Sequence, residues 1–147
     1  INFFVKKRNQ MGSLFHKELI NLKTNLLTPQ FVPKGFYHSY YSFAAKFEGL
    51  KYGIKWQTFR KKFMKNGGDG IYAAWKILPD EGPFKKARKF GLISGEKKIS
   101  ESYGYGETPM ARSLQKKIMQ FTTNQENEKQ MMKQINALKK TIKFFNL

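Results

Sequence analysis

Phe36-Tyr-His-Ser-Tyr-Tyr-Ser-Phe-Ala-Ala-Lys-Phe47 is the stretch on which the fold turns. Aromatic residues crowd it, and aromatic side chains suit a pleated, half-buried surface, so the run predicts a strand. Gly35 opens it and Glu48-Gly49 closes it. Upstream, Met11, Phe15, Leu19, Leu22 and Leu26 recur at helical spacing and predict a helix over residues 1–26, stopped by Pro29 and Pro33. Downstream, Trp56, Phe59 and Phe63 share one face of a predicted helix over 55–66. Asn66-Gly-Gly-Asp-Gly70 breaks that helix, and Ile71-Tyr-Ala-Ala-Trp75 follows as a short strand or a buried loop.

Residues 79–107 are rich in glycine and proline and read as loop, with a short helix at about 84–90. Thr108-Pro109 is a helix start, with threonine as N-cap and proline in the first turn, and this helix should run to about residue 119. Gln120-Phe-Thr-Thr123 suits a short strand. Met131, Ile135, Leu138, Ile142 and Phe145 form the clearest helical stripe of the chain, and it reads as core. The order predicts an α+β fold: a small antiparallel or mixed sheet with helices on one side.

Charge and composition restrict the function. The net charge is +18, which invites a nucleic-acid partner. Only four of the 28 basic residues are arginine (Arg8, Arg60, Arg88, Arg112), however, and the lysines are scattered. Nucleic-acid readers favour arginine for forked contacts to phosphate and base, so a nucleic-acid-binding module is the alternative rather than the first reading. The absence of cysteine excludes disulfides and thiolate metal sites and permits a reducing compartment. No apolar run approaches the roughly 18 residues of a membrane span, so no membrane contact is expected.

Candidate chemistry is sparse. No HExxH, CxxC, EF-hand, GxSxG or Walker A pattern occurs, so no metal is expected. His16 reads as a solvated helix histidine. Gly67-Gly-Asp-Gly70 either cradles a phosphate with backbone N–H groups or simply turns the chain. His38-Ser-Tyr-Tyr41 and Tyr72-Ala-Ala-Trp75 either stack on sugars and bases or serve as core strand and buried turn.

Three segments together carry a family resemblance. Val32-Pro-Lys-Gly-Phe-Tyr-His-Ser-Tyr-Tyr-Ser-Phe43 resembles the P…H-x-Y…F strand of the DegT/DnrJ/EryC1/StrS aminotransferases. Trp56 through Trp75 resembles the helix and the Gly-Ile loop that follow it. Tyr105 through Asn124 is similar to a helix with a P-V-A-E pattern that ends in a short strand, although Arg112 stands where glutamate is common. The first helix resembles the one that links the large and small domains of such enzymes.

The resemblance implies the small domain of a fold-type-I enzyme that uses pyridoxal phosphate (PLP) to transfer an amino group, usually from glutamate, to a nucleotide-linked keto-sugar. It implies a linking helix at 1–28 and a C-terminal small domain at 29–147. The PLP-binding large domain would precede residue 1 and is not part of this chain. A homodimer, or a non-catalytic remnant docked on a separate large domain, would then be the working form, in the cytoplasm. Ser42-Phe-Ala-Ala-Lys46 mimics the family's PLP-lysine motif with the lysine one residue early, so Lys46 is expected to be a strand residue. The chain would bind no PLP covalently and be inactive in isolation. His38 and Tyr40 would contact the nucleotide-sugar, and Tyr72 and Trp75 would line the substrate entrance.

Overall fold

A computed structural model describes residues 1–83, 86 and 108–146. The elements are α1 (Asn2–Asn21), β1 (Leu27–Pro29), β2 (Phe43–Phe47), α2 (Trp56–Lys65), β3 (Tyr72–Ala73), α3 (Pro109–Gln115), β4 (Ile118–Phe121) and α4 (Glu128–Phe145), with 3-10 turns at Gly49–Tyr52 and Leu78–Asp80. The fold is α+β. Residues 1–73 with 118–147 form one compact unit and 74–117 a second. The short helix expected near 84–90 falls outside the described residues but for Lys86.

The first unit is built on a four-stranded antiparallel sheet in the order β1-β2-β4-β3. Side chains alternate across a strand, so Phe43, Ala45 and Phe47 of β2 point one way and Ala44 and Lys46 the other. The first set is buried, together with Met119 and Phe121 opposite it on β4. Helices cover that face. Phe15 of α1 meets Phe43 and Phe121, while Phe59 and Phe63 of α2 meet Phe47 and Phe121. Helix α4 packs against both α1 and α2, burying Met131, Ile135, Leu138 and Ile142 of the stripe read from the sequence.

Several predicted boundaries moved: α1 ends at Asn21 rather than 26, and α3 at Gln115 rather than about 119, so that β4 takes Ile118–Phe121 in place of 120–123. The aromatic strand begins at Phe43, not Phe36, because Tyr40 takes a positive φ of 48° that ends extended backbone before it. An additional strand, β1, lies where proline was read as a stop. β1 is an edge strand, and an edge is where a residue without an N–H can sit in a sheet. Helix α1 contributes Met11, Phe15 and Leu19 to the same core as the sheet.

Ion pairs tie the helical layer and the end of β2. Lys139 of α4 donates to Glu18 of α1 at 2.7 Å, and Glu48 is held by Lys46 and Lys51. The lysine hydrogen bonds pull both carboxyls below their ordinary value of 4.5, with burial opposing the shift. The unfolded chain therefore binds protons that the folded chain does not. Stability from these groups is complete above pH 4.5 and is lost as the pH falls through the lower folded values. Thermal melts taken at falling pH should show the midpoint dropping below that pH, and Glu18→Gln should shallow the drop. An unchanged acid limb in the variant would remove Glu18 from this account.

No described helix is long and apolar enough to cross a membrane.

Candidate functional site

After β1 the chain makes an excursion over residues 31–42 before re-entering the sheet. Gln30 closes its base twice: its backbone N–H donates to the Ala44 carbonyl at 3.0 Å, and its side-chain oxygen accepts from the Ala44 N–H at 2.9 Å. At the tip, Phe36 N–H donates to the Pro33 carbonyl across a turn whose third residue is Gly35, at φ 86°. Glycine adopts that conformation without steric cost.

His38 pins the returning arm. Asn9 of α1 donates to its carbonyl at 2.9 Å. Tyr40 N–H donates to Nδ1 at 2.8 Å, which makes Nδ1 the acceptor, and the Gln30 amide lies 2.7 Å from Nε2. Both ring nitrogens thus face protein groups. Tyr40 is 6 % exposed. Its ring lies parallel to Phe43 at 5.9 Å and over Gly12, and its hydroxyl bonds to the Ser13 side chain. That ring serves the core and presents no face to a ligand. Burial raises the phenol above its ordinary value, with the Ser13 bond opposing.

The positive φ of Tyr40 sends its neighbours outward. Tyr41 is 85 % exposed, and Phe36 and Tyr37 are also exposed. Arg8 of α1 donates to the Tyr41 carbonyl at 3.3 Å and lies 5.7 Å from its ring centre. Arg8 also borders an open groove of about 210 Å³ with Phe4, Lys7, Asn124, Gln125 and Glu126. Thr123, just before that segment, donates to the Tyr40 carbonyl at 3.4 Å. The start of α1, the excursion and the lead-in to α4 therefore meet around Arg8.

Gln125 gives the groove its polarity. Its Nε2 donates to the Asp69 carboxylate at 2.9 Å. A carboxylate only accepts, so the amide cannot be rotated, and Oε1 is left buried without a partner. Such an acceptor costs about 1–3 kcal/mol until a donor reaches it.

The glycine run is a helix cap, not an anion cradle. Gly68 N–H donates to the Phe63 carbonyl and Gly67 N–H to that of Met64, the paired bonds of a Schellman motif, with Gly67 at φ 93°. Asp69 N–H is taken by Gln134 Oε1 at 2.7 Å. Gly67→Ala forces a Cβ into left-handed backbone and should cost about 1 kcal/mol of unfolding free energy in a urea titration. A neutral result would mean that the cap relaxes.

The other candidates lie apart. Tyr72 is exposed on β3, the edge opposite β1, so the sheet separates it from the Gln30–His38 contact. Trp75 belongs to the second unit, where it is exposed and its carbonyl accepts from Gln115. Arg112, in that unit, forms a forked pair with Asp80 at 2.9 and 3.2 Å. His16 is half-buried, its ring 6.2 Å from that of Phe43. Lys46 lies on β2, half-exposed and paired with Glu48. Among the described residues, no group of three His, Cys, Asp or Glu could hold a metal. Sequence reasoning missed Arg8, Lys7 and Gln125, because only the fold brings these separate segments to one place.

Compared with known protein families and with curated proteins, the sequence matches none.

Proposed function

We propose that this chain is the C-terminal part of a PLP-dependent aminotransferase that aminates a nucleotide-linked keto-sugar, with glutamate as amino donor. The reading is supported by the three resembling segments in their family order and by the α+β class. The observation that carries it is the fold of residues 32–43. This most family-like stretch departs from the strand of the resemblance: it is a pinned excursion, with His38 and Tyr40 fixing it, Tyr41 displayed beside Arg8 and Tyr37 exposed. Rigid elements that position exposed polar and aromatic groups are what a substrate-binding loop requires.

The described residues do not fit PLP. The one lysine in a family-like context, Lys46, sits on a strand with its ammonium against Glu48 and does not line the groove. A Schiff base needs a free amine aimed at the cofactor. The cofactor and its lysine would come from a large domain, in the same polypeptide or a partner. PLP would serve there as electron sink, while this chain shapes the nucleotide-sugar side in a homodimer or a docked pair. A cytoplasmic location accords with this role.

The test is the product of the gene including any coding sequence upstream of Ile1. Expressed whole, it should bind PLP as a borohydride-reducible Schiff base that glutamate discharges, and Lys46→Ala should leave that signal intact. A product that binds no PLP, alone or with a co-purifying partner, would overturn the reading.

A further inference from the structure

We infer that the outer face of α2 and α4 docks on an anionic lipid surface. The two helices pack antiparallel. Phe59 stacks on Phe145, Lys62 Nζ lies 3.5 Å from the ring centre of Phe144, and Asn66 donates to Thr141 at 3.0 Å, so advancing along α2 runs back along α4. Each helix turns its apolar stripe to the core. What remains outward is lysine: Lys61 and Lys65 on α2, and Lys133, Lys140 and Lys143 on α4, all exposed. Lys61 with Lys65, and Lys133 with Lys140, stand at spacings that return to one helix face. No acidic residue occurs at 49–68 or after Glu128, which opens α4 about three turns before Lys140. Carboxylates on neighbouring segments are already engaged: Glu18 by Lys139, and Asp69 by Gln125 and Thr122. Among the described residues, none of the five lysines forms an ion pair. Like charges on one face repel, so the fold gains no stability by gathering them, and an outside anion relieves the repulsion.

The chemistry of the face selects lipid over nucleic acid. A lysine is a hydrated point charge on a flexible stem, enough for attraction to anionic headgroups but without the fork that reads phosphate and base. The arginine of α2, Arg60, has its Nε turned to the Ile71 carbonyl at 3.1 Å. A single strand needs open aromatic rings to stack on, whereas Phe144, the exposed aromatic of this face, has Lys62 over its ring. Phe144 is nevertheless 58 % exposed, and an aromatic edge among lysines suits the headgroup boundary of a bilayer. A contact of this kind needs no apolar span. It goes beyond the aminotransferase reading and does not rest on it.

Cosedimentation of the 147-residue chain with lipid vesicles tests it. Phosphatidylcholine vesicles carrying about 30 % phosphatidylserine should bind the chain at about 0.1 M salt and release it at about 0.5 M, and pure phosphatidylcholine should not bind it. Each lysine near an anionic surface contributes a roughly fivefold gain, so the triple variant Lys61→Gln, Lys65→Gln, Lys140→Gln should bind about a hundredfold more weakly. A second triple, Lys23→Gln, Lys34→Gln, Lys46→Gln, removes the same charge elsewhere: after α1, on the excursion, and on the sheet face turned from the helices. It should weaken binding less than about threefold, since those lysines do not face the lipid. Melting midpoints check that both triples fold, and the single variants, each about fivefold weaker, carry the test if one does not. Three results would overturn the inference. The first is no binding to the phosphatidylserine vesicles at about 0.1 M salt. The second is an equal loss in both triples, because the net charge of +18 would then be the whole cause. The third is tighter binding to single-stranded or duplex DNA than to the vesicles at the same salt, lost in the first triple, which would make the face a nucleic-acid surface.

Discussion

Phe43→Ala should lower the unfolding free energy by about 3–5 kcal/mol, read as a fall in the urea midpoint at constant slope. Phe43 is fully buried at the start of β2. Its ring meets Phe15 edge-on at 4.8 Å and lies parallel to Tyr40 at 5.9 Å, and its strand partner is Phe121. Truncation removes the apolar area and leaves a cavity between α1 and the sheet, where neighbouring rings cannot easily collapse. A domain of this size has about 5–15 kcal/mol to lose, so the variant should sit near the edge of folding at room temperature. A loss below about 1 kcal/mol would mean that the ring cluster is not the centre of the core.

Gly12→Leu should be nearly as damaging, at about 3 kcal/mol. Two effects of opposite sign meet there. Glycine inside a helix costs up to about 1 kcal/mol relative to alanine, so any side chain helps α1 form. A Cβ at residue 12, however, would lie 2.4 Å from Tyr40 Cγ, far inside contact distance. The obstacle is the root of a ring, not a flexible tip, and Phe43 lies behind it. Steric cost wins, and Gly12→Ala should already destabilise. Adding Tyr40→Ala to Gly12→Ala should relieve the clash, so the pair should lose less than the sum of the two single losses. Strict additivity would argue against the contact.

Periodicity made the helices legible. Stripes at Met11–Leu19, Phe59–Phe63 and Met131–Ile142 are the buried faces of α1, α2 and α4, since burial selects the helical period directly. β2 was legible only in part. Phe43, Ala45 and Phe47 alternate with Lys46 as a half-buried strand should, but the aromatics at 36, 37 and 41 extended the reading too far. Aromatic propensity expresses packing, and those three side chains have no sheet to pack on. β1 was hidden because Pro29 signals a break everywhere except at an edge. The glycine run became a cap once the helix before it was placed. The groove was beyond any local pattern: Arg8 and Tyr41 are 33 residues apart, and Gln125 lies far beyond both.

The strand order carries a consequence for synthesis. β4 lies between β2 and β3 but comes after both in sequence, with α4 later still. While the polypeptide emerges from the ribosome, β2 has its inner edge open and β3 has no neighbour to pair with. Both wait for residues 118–121, and the α1–α2 surface waits longer still for α4. The sheet therefore closes from its middle, last, through contacts of long sequence separation. A ribosome that stalls before β4 releases a segment holding α1, β1, β2, α2 and an unpaired β3, with an open strand edge on β2 and exposed phenylalanines, a form of this chain prone to aggregate.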